Sequence, residues 1–162
     1  VTPCFIAKRH GCRVVGVDIL AAMVGRSGQR AKREGVADSV EVRVADAQEL
    51  PFADGLFDAV ITESATAFPA DKQKAVNEYA RVVKPGGYVG LNESTRLKCP
   101  PPPEMIAWAS QDLGAGVKPM TSDEWRTLLE TAGLADIVER HVKINGRDES
   151  KGLLRRCGCG DC

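Results

Sequence analysis

The sequence carries no excess of charge of either sign. Twenty-two lysines and arginines balance twenty-two aspartates and glutamates over 162 residues. A phosphate backbone is held largely by an excess of cations, so nucleic acid is not expected as the primary partner. Long apolar runs are missing too. None approaches the ~20 residues that span a bilayer, and no charged-then-apolar leader precedes the first element. The expectation is a soluble, cytoplasmic protein with no membrane partner. Histidine is scarce, limited to His10 and His141. Cys157, Cys159 and Cys162 form C-x-C-x-x-C, a spacing that suits part of a zinc or cluster site. A closed site needs four ligands, however, and neither histidine is adjacent, so no metal is assigned. Cys4, Cys12 and Cys99 lie in or beside apolar segments and read as buried thiols. There is no internal repeat, and the length suits one domain.

What is present is an alternation of strands and helices. Thr2-Pro3 opens a helix that Gly11 stops. Arg13 to Ile19 is almost wholly apolar, as parallel strands covered on both faces are. Leu20 to Glu34 reads as a helix closed by Gly35, and Val40 to Ala45 as a second strand. A turn-rich loop, 47–56, leads to a third strand over Phe57 to Thr62. Pro69 opens a long helix whose Ala75, Val76, Tyr79, Ala80, Val82 and Val83 share one face. Lys84-Pro85-Gly86-Gly87 reads as the turn that ends it, before a fourth strand from Tyr88 to Asn92. Pro100 to Pro103 form a stiff segment, followed by a helix over Glu104 to Leu113. Thr121 to Glu124 form a capping box for a helix striped by Trp125, Leu128, Leu129 and Ala132 and stopped by Gly133. Ile137 to Ile144 reads as a fifth strand. The alternation defines an α/β, doubly wound and mainly parallel sheet over residues 1–144, with 145–162 an irregular tail rich in cysteine and glycine.

Two of these strands end on a carboxylate, Asp18 and Asp46. Adjacent parallel strands that deliver acids to one edge suit the ribose and base of a nucleotide-like cofactor. The partner feature, a glycine-rich turn just upstream where the backbone approaches the ligand, does not occur before Asp18. An aspartate after an apolar strand also serves as a helix cap, Met23 fits a core equally well, and a polar residue at a strand end is commonly solvated.

The runs Val14-Val15-Gly16-Val17-Asp18-Ile19, Ala45-Asp46-Ala47-Gln48-Glu49-Leu50-Pro51-Phe52, Phe57-Asp58-Ala59-Val60 and Arg81-Val82-Val83-Lys84-Pro85-Gly86-Gly87 resemble the class I S-adenosylmethionine-dependent methyltransferases. Within them the chain is similar to the type 11 group that includes the ubiquinone and menaquinone C-methyltransferases. The resemblance implies a Rossmann-like sheet, S-adenosylmethionine as cofactor and a small-molecule acceptor. It implies that Asp18 accepts the ribose hydroxyls, that Ile19 and Met23 flank the adenine, and that Asp46 and the Ala47 N–H read its edge. Glu63 and Ser64 would line the path to the methionine end. Glu63, Glu93 and His141 are candidate bases by residue type, Asn92 is a further polar residue at a strand end, and no catalytic residue is named.

Relative to that family the first, central strand and its glycine turn are missing, and Leu20 stands where a capping serine or aspartate is common. The expectation is an N-terminally truncated domain whose unpaired sheet edges invite a second copy to dimerise. Two other readings stand beside methyl transfer: an NAD-dependent oxidoreductase, because an acid after a second strand also holds an NAD ribose, and a non-catalytic remnant that binds through its open edges.

Overall fold

A computed structural model describes residues 2–96, 103–104, 107 and 120–140. They divide into two compact units, one formed by the chain up to Ile61 with Lys74–Gly90, the other by Thr62–Gln73 and the described residues from Leu91 onward.

In the first unit, α1 (Thr2–His10) ends at Gly11, whose φ of 64° is left-handed and whose N–H bonds to Ala7 O at 2.9 Å. β1 (Val14–Asp18) pairs in parallel with β2 (Val40–Val44), in a register from Val14 opposite Val40 to Asp18 opposite Val44. Between them α2 (Ala21–Arg33) carries Arg30, Lys32 and Arg33 in its last turn, where cations oppose the negative end of the helix dipole. Cys4 and Ala7 of α1, Ala31 of α2 and Val40 of β2 are buried together, with Val14, Val36 and Val42 against them. A Cβ on Gly16 would lie 3.3 Å from Pro3 Cγ, so the missing side chain lets α1 settle directly on β1.

Side chains alternate along a strand, so Val14, Gly16, Val40 and Val42 share one face. Both helices cover that face. The opposite face carries Val15, Val17, Glu41 and Arg43, with Val17 39% exposed and Glu41 bonded to Arg43. Burial on both faces, expected of so apolar a strand, is therefore not what these residues show.

β3 (Phe57–Glu63) and β4 (Val83–Asn92) form another two-stranded sheet. Gly55 N bonds to Arg81 O at one end and Ser64 N to Asn92 O at the other, so the two strands run in the same direction. Among the described residues the β1–β2 and β3–β4 pairs share no ladder. The α/β order and parallel sense match the sequence reading. Helix α3 (Lys72–Val82) buries Ala75, Val76, Tyr79 and Val82.

Two boundaries shift. The helix begins at Lys72 rather than Pro69, just after Asp71, a residue type favoured in front of a helix. Lys84-Pro85-Gly86-Gly87 is not a turn ahead of the strand but part of β4, which opens at Val83 directly after the helix. The reason is backbone proximity. A Cβ on Gly87 would lie 2.7 Å from Asp58 O, and Lys84 Nζ reaches Asp58 Oδ1 at 2.7 Å, so this stretch already lies against β3.

The second unit contains β5 (Thr95–Arg96) paired in parallel with β6 (Met120–Thr121), a contact the sequence did not suggest. α4 (Ser122–Thr131) opens with the expected capping box: Thr121 Oγ1 accepts from Glu124 N, and the Glu124 carboxylate accepts from Thr121 N at 2.7 Å. Gly133, with φ 82°, follows its end. Gln73 Nε2 donates to Leu128 O in the same unit. The expected fifth strand is not formed over 137–140, where Asp136 has just turned the backbone left-handed (φ 53°); 141–144 lie outside the described residues. Of the helix expected from Glu104 to Leu113, Glu104 and Ala107 are helical, as is Pro103 before them, and the rest is not described. Cys4 is buried as expected, but Cys12 is exposed because it follows the Gly11 turn out of the α1 core. Cys99 and the C-x-C-x-x-C tail fall outside the described residues. Among those residues no helix is long and apolar enough to cross a membrane.

Candidate functional site

The β1–β2 register builds one edge of a site. Asp18 is the last residue of β1 and lies opposite Val44, and Ala45 N bonds to Asp18 O at 3.1 Å. Asp46 follows one residue later, so both acids emerge at the carboxyl ends of neighbouring parallel strands. Open α/β sheets bind ligands at that end.

Each carboxylate is oriented by a local turn. Asp18 Oδ1 accepts from Leu20 N at 2.9 Å, a local turn that leads into α2, whose N-cap residue Leu20 makes no side-chain cap bond. Asp18 thus closes the turn into α2 through one oxygen without capping the first-turn N–H groups of the helix, while Oδ2 accepts nothing among the described residues. Asp46 Oδ1 accepts from Gln48 N at 2.8 Å, and Gln48 Nε2 lies 3.2 Å from both carboxylate oxygens. Asp46 and Glu49 form an isolated antiparallel bridge that tightens the turn, and the Ala47 N–H has no acceptor among the described residues. Beside Asp18 the surface is apolar and open: Ile19 is 64% exposed, Leu20 59% and Met23 40%. Met23 is therefore not a core residue.

The loop after Asp46 is held by residues that sequence reasoning passed over. Arg81 of α3 donates from Nε to Glu78 Oε1, from Nη1 to Phe52 O and Asp54 Oδ1, and from Nη2 to Leu50 O and Glu78 Oε2, at 2.6 to 3.0 Å. Glu78 Oε2 also accepts from Leu50 N at 2.7 Å. The Arg81 hydrogen bond holds the Glu78 carboxyl below the usual carboxylate range, and the backbone bond from Leu50 adds to it. Glu78, and next Asp54, push the guanidinium pKa further up. The signal lay in the i, i+3 spacing of Glu78 and Arg81 on an otherwise apolar helix end. Phe52 stacks edge-on against Phe57, centroids 5.0 Å apart, with the Arg43 guanidinium 5.5 Å from the Phe52 ring.

Glu63 and Ser64 close β3 and belong to the second unit, where both are exposed. Ser64 takes a left-handed backbone, φ 49°, unusual for a residue with a side chain. The turn is braced by Glu93, whose Oε1 accepts from both Ala65 N (3.0 Å) and Thr66 N (2.8 Å). The buried hydroxyls of Thr62 and Thr66 meet at 3.0 Å. Glu93 Oε2 is buried without a partner among the described residues.

Comparison with known proteins gives this geometry a context. The family described as "Methyltransferase domain" matches residues 2–91, a span that includes every residue from Asp18 to Ser64. The chain is 32% identical over 130 residues to a 27-O-demethylrifamycin SV methyltransferase of Amycolatopsis mediterranei, covering 80% of this chain and 48% of that protein. It is 39% identical over 90 residues to a mitochondrial 2-methoxy-6-polyprenyl-1,4-benzoquinol methylase of Leishmania donovani, covering 56% of this chain and 31% of that one. Among solved structures, a geranyl diphosphate methyltransferase in complex with SAM superposes with a TM-score of 0.66 at 21% identity, over 79% of this chain and 51% of that one. The chain thus spans about half, or less, of the length of these relatives.

Proposed function

The chain belongs to the methyltransferase domain family, and from that premise we propose that it transfers a methyl group from S-adenosylmethionine to a small-molecule acceptor. The observation that carries this reading is the parallel register of β1 and β2, which brings Asp18 and Asp46 out at one edge beside the exposed Ile19, Leu20 and Met23. Asp18 Oδ2, left open while Oδ1 holds Leu20, accepts a ribose hydroxyl in a charge-assisted bond. Ile19 and Met23 cover the faces of the adenine, and burying that exposed apolar surface favours binding. Asp46 accepts from the exocyclic amino group, and the Ala47 N–H donates to a ring nitrogen. Glu63 and Ser64, at the carboxyl end of β3, line the way to the methionine end. When bound, S-adenosylmethionine supplies a methyl group already activated on a sulfonium. The protein contributes alignment and the exclusion of water, and needs a base only where the acceptor must lose a proton.

The interrupted sheet and the half-exposed strand residues also support pairing with a second copy through open edges. Sedimentation across a range of concentrations tests that pairing, and a purely monomeric protein rules it out. Calorimetric titration with S-adenosylhomocysteine and, separately, NAD tests the cofactor assignment. Saturable heat with the first and none with NAD is expected. NAD binding without S-adenosylhomocysteine binding makes the chain a nicotinamide protein, and silence toward both leaves it a non-catalytic remnant.

A further inference from the structure

We propose that Arg81, acting with Glu78, is a positioning residue for purine specificity: it fixes the loop that carries Asp46 and Ala47 and so sets the preference for an amino over a keto purine. The proposal rests on the cofactor reading above. A guanidinium has five N–H donors, and all five of Arg81 are in use, on Glu78 Oε1, Phe52 O, Asp54 Oδ1, Leu50 O and Glu78 Oε2. None is left for a ligand, so Arg81 acts through what it holds. What it holds is one loop. The carbonyls of Leu50 and Phe52 and the carboxylate of Asp54 accept from its side chain, Gly55 N donates to its own carbonyl at 2.9 Å, and Leu50 N donates to Glu78.

The grip reaches Asp46 through few bonds. Leu50 is buried and fixed at both its N–H and its carbonyl, and the residue before it, Glu49, donates to Asp46 O at 3.1 Å. Gln48 N donates to Asp46 Oδ1. Displacing Leu50 therefore displaces the turn that aims the Asp46 carboxylate and the free Ala47 N–H. A carboxylate only accepts hydrogen bonds, so it pairs with the amino group of adenine and meets the carbonyl of hypoxanthine acceptor to acceptor. Sites that depend on such pairing discriminate steeply, and the discrimination fails when the geometry loosens.

The experiment measures dissociation constants of S-adenosylhomocysteine and S-inosylhomocysteine for the full chain and for Arg81→Lys, Arg81→Ala and Glu78→Gln. Val40→Ala, a core change at the far end of β2, serves as a control for stability loss alone. All are compared below their melting temperatures. The wild type should prefer the adenosyl ligand about a hundredfold or more. Arg81→Ala should narrow that preference at least tenfold, mostly by weakening the adenosyl ligand. Arg81→Lys should retain part of it, and Val40→Ala should leave the ratio unchanged at a comparable loss of Tm. Without any ligand, Arg81→Ala should speed amide exchange at Gln48 and Glu49. An unaltered preference in Arg81→Ala, an equal fall in Val40→Ala, or unchanged exchange at Gln48 and Glu49 each overturns the proposal. A wild type that binds neither ligand instead overturns the cofactor assignment, and the specificity role falls with it.

Discussion

Replacing Asp18 with asparagine separates the bond its carboxylate makes to Leu20 from the ribose contact proposed for it. Oδ1 accepts from Leu20 N at 2.9 Å, and an asparagine carbonyl oxygen in the same place still accepts that bond. The other position changes from an acceptor to an amide donor, which cannot receive a ribose hydroxyl proton. A hydrogen bond to a charged group contributes about 1.5–3 kcal/mol net, so Asp18→Asn should weaken S-adenosylhomocysteine binding by roughly 10- to 150-fold. Stability should stay within about 0.5 kcal/mol of the wild type, because the bond to Leu20 N is kept. Asp18→Ala removes both functions. It should bind as poorly and also lose about 0.5–1.5 kcal/mol, the net worth of one such hydrogen bond. Calorimetry gives the affinities, and urea unfolding at one temperature gives the stabilities. Affinity within twofold of the wild type for Asp18→Asn refutes the ribose role. A stability loss equal to that of Asp18→Ala refutes the division of labour between the two oxygens.

Gly87→Ala forces a Cβ to within 2.7 Å of Asp58 O and of Val83 Cγ2, and should cost about 1–3 kcal/mol by urea unfolding; a neutral result shows that β3 and β4 are not this close. Glu93→Ala leaves the N–H groups of Ala65 and Thr66 without their acceptor, so their amide exchange should accelerate, while Glu93→Gln, which keeps a carbonyl oxygen, should largely preserve protection. Acid should loosen the 50–54 loop. Glu78 has a folded pKa below its unfolded value, so the stability it contributes is complete above the unfolded pKa of about 4.3 and is lost as pH falls through the folded value. Urea midpoints from pH 7 to pH 3 should therefore fall less for Glu78→Gln than for the wild type below about pH 4; parallel curves refute this.

Much of the edge that carries the proposed site was legible because it depends on local pattern. An apolar strand ending on an acid fixes where Asp18 and Asp46 emerge once the pairing is parallel, and Thr121 and Glu124 announce a helix start through chemistry three residues apart. What escaped depends on distant contacts. Lys84-Pro85-Gly86-Gly87 has the composition of a turn, and only the close approach of Asp58 draws it into β4. The 137–140 segment has strand-like residues but forms no ladder among the described residues, and β propensity alone does not create a strand. Arg81 stood in the sequence only as the first residue of a motif run, because its partners between Leu50 and Asp54 lie far along the chain. Glu93 suggested a base by type, whereas its described bonds make it the brace of the Ser64 turn.

The separate β1–β2 and β3–β4 ladders bear on how this protein melts. Backbone pairs that share no rung are not obliged to open together, so each pair carries its own opening free energy. In the proposed site the nucleoside rests on Asp18 and Asp46 at the end of the first pair, and only the methionine end reaches the last residue of β3. Ligand should therefore slow deuterium uptake along Val14–Asp18 and Val40–Val44 more than along Phe57–Glu63, leaving a footprint that marks the occupied pair of strands without a view of the ligand itself.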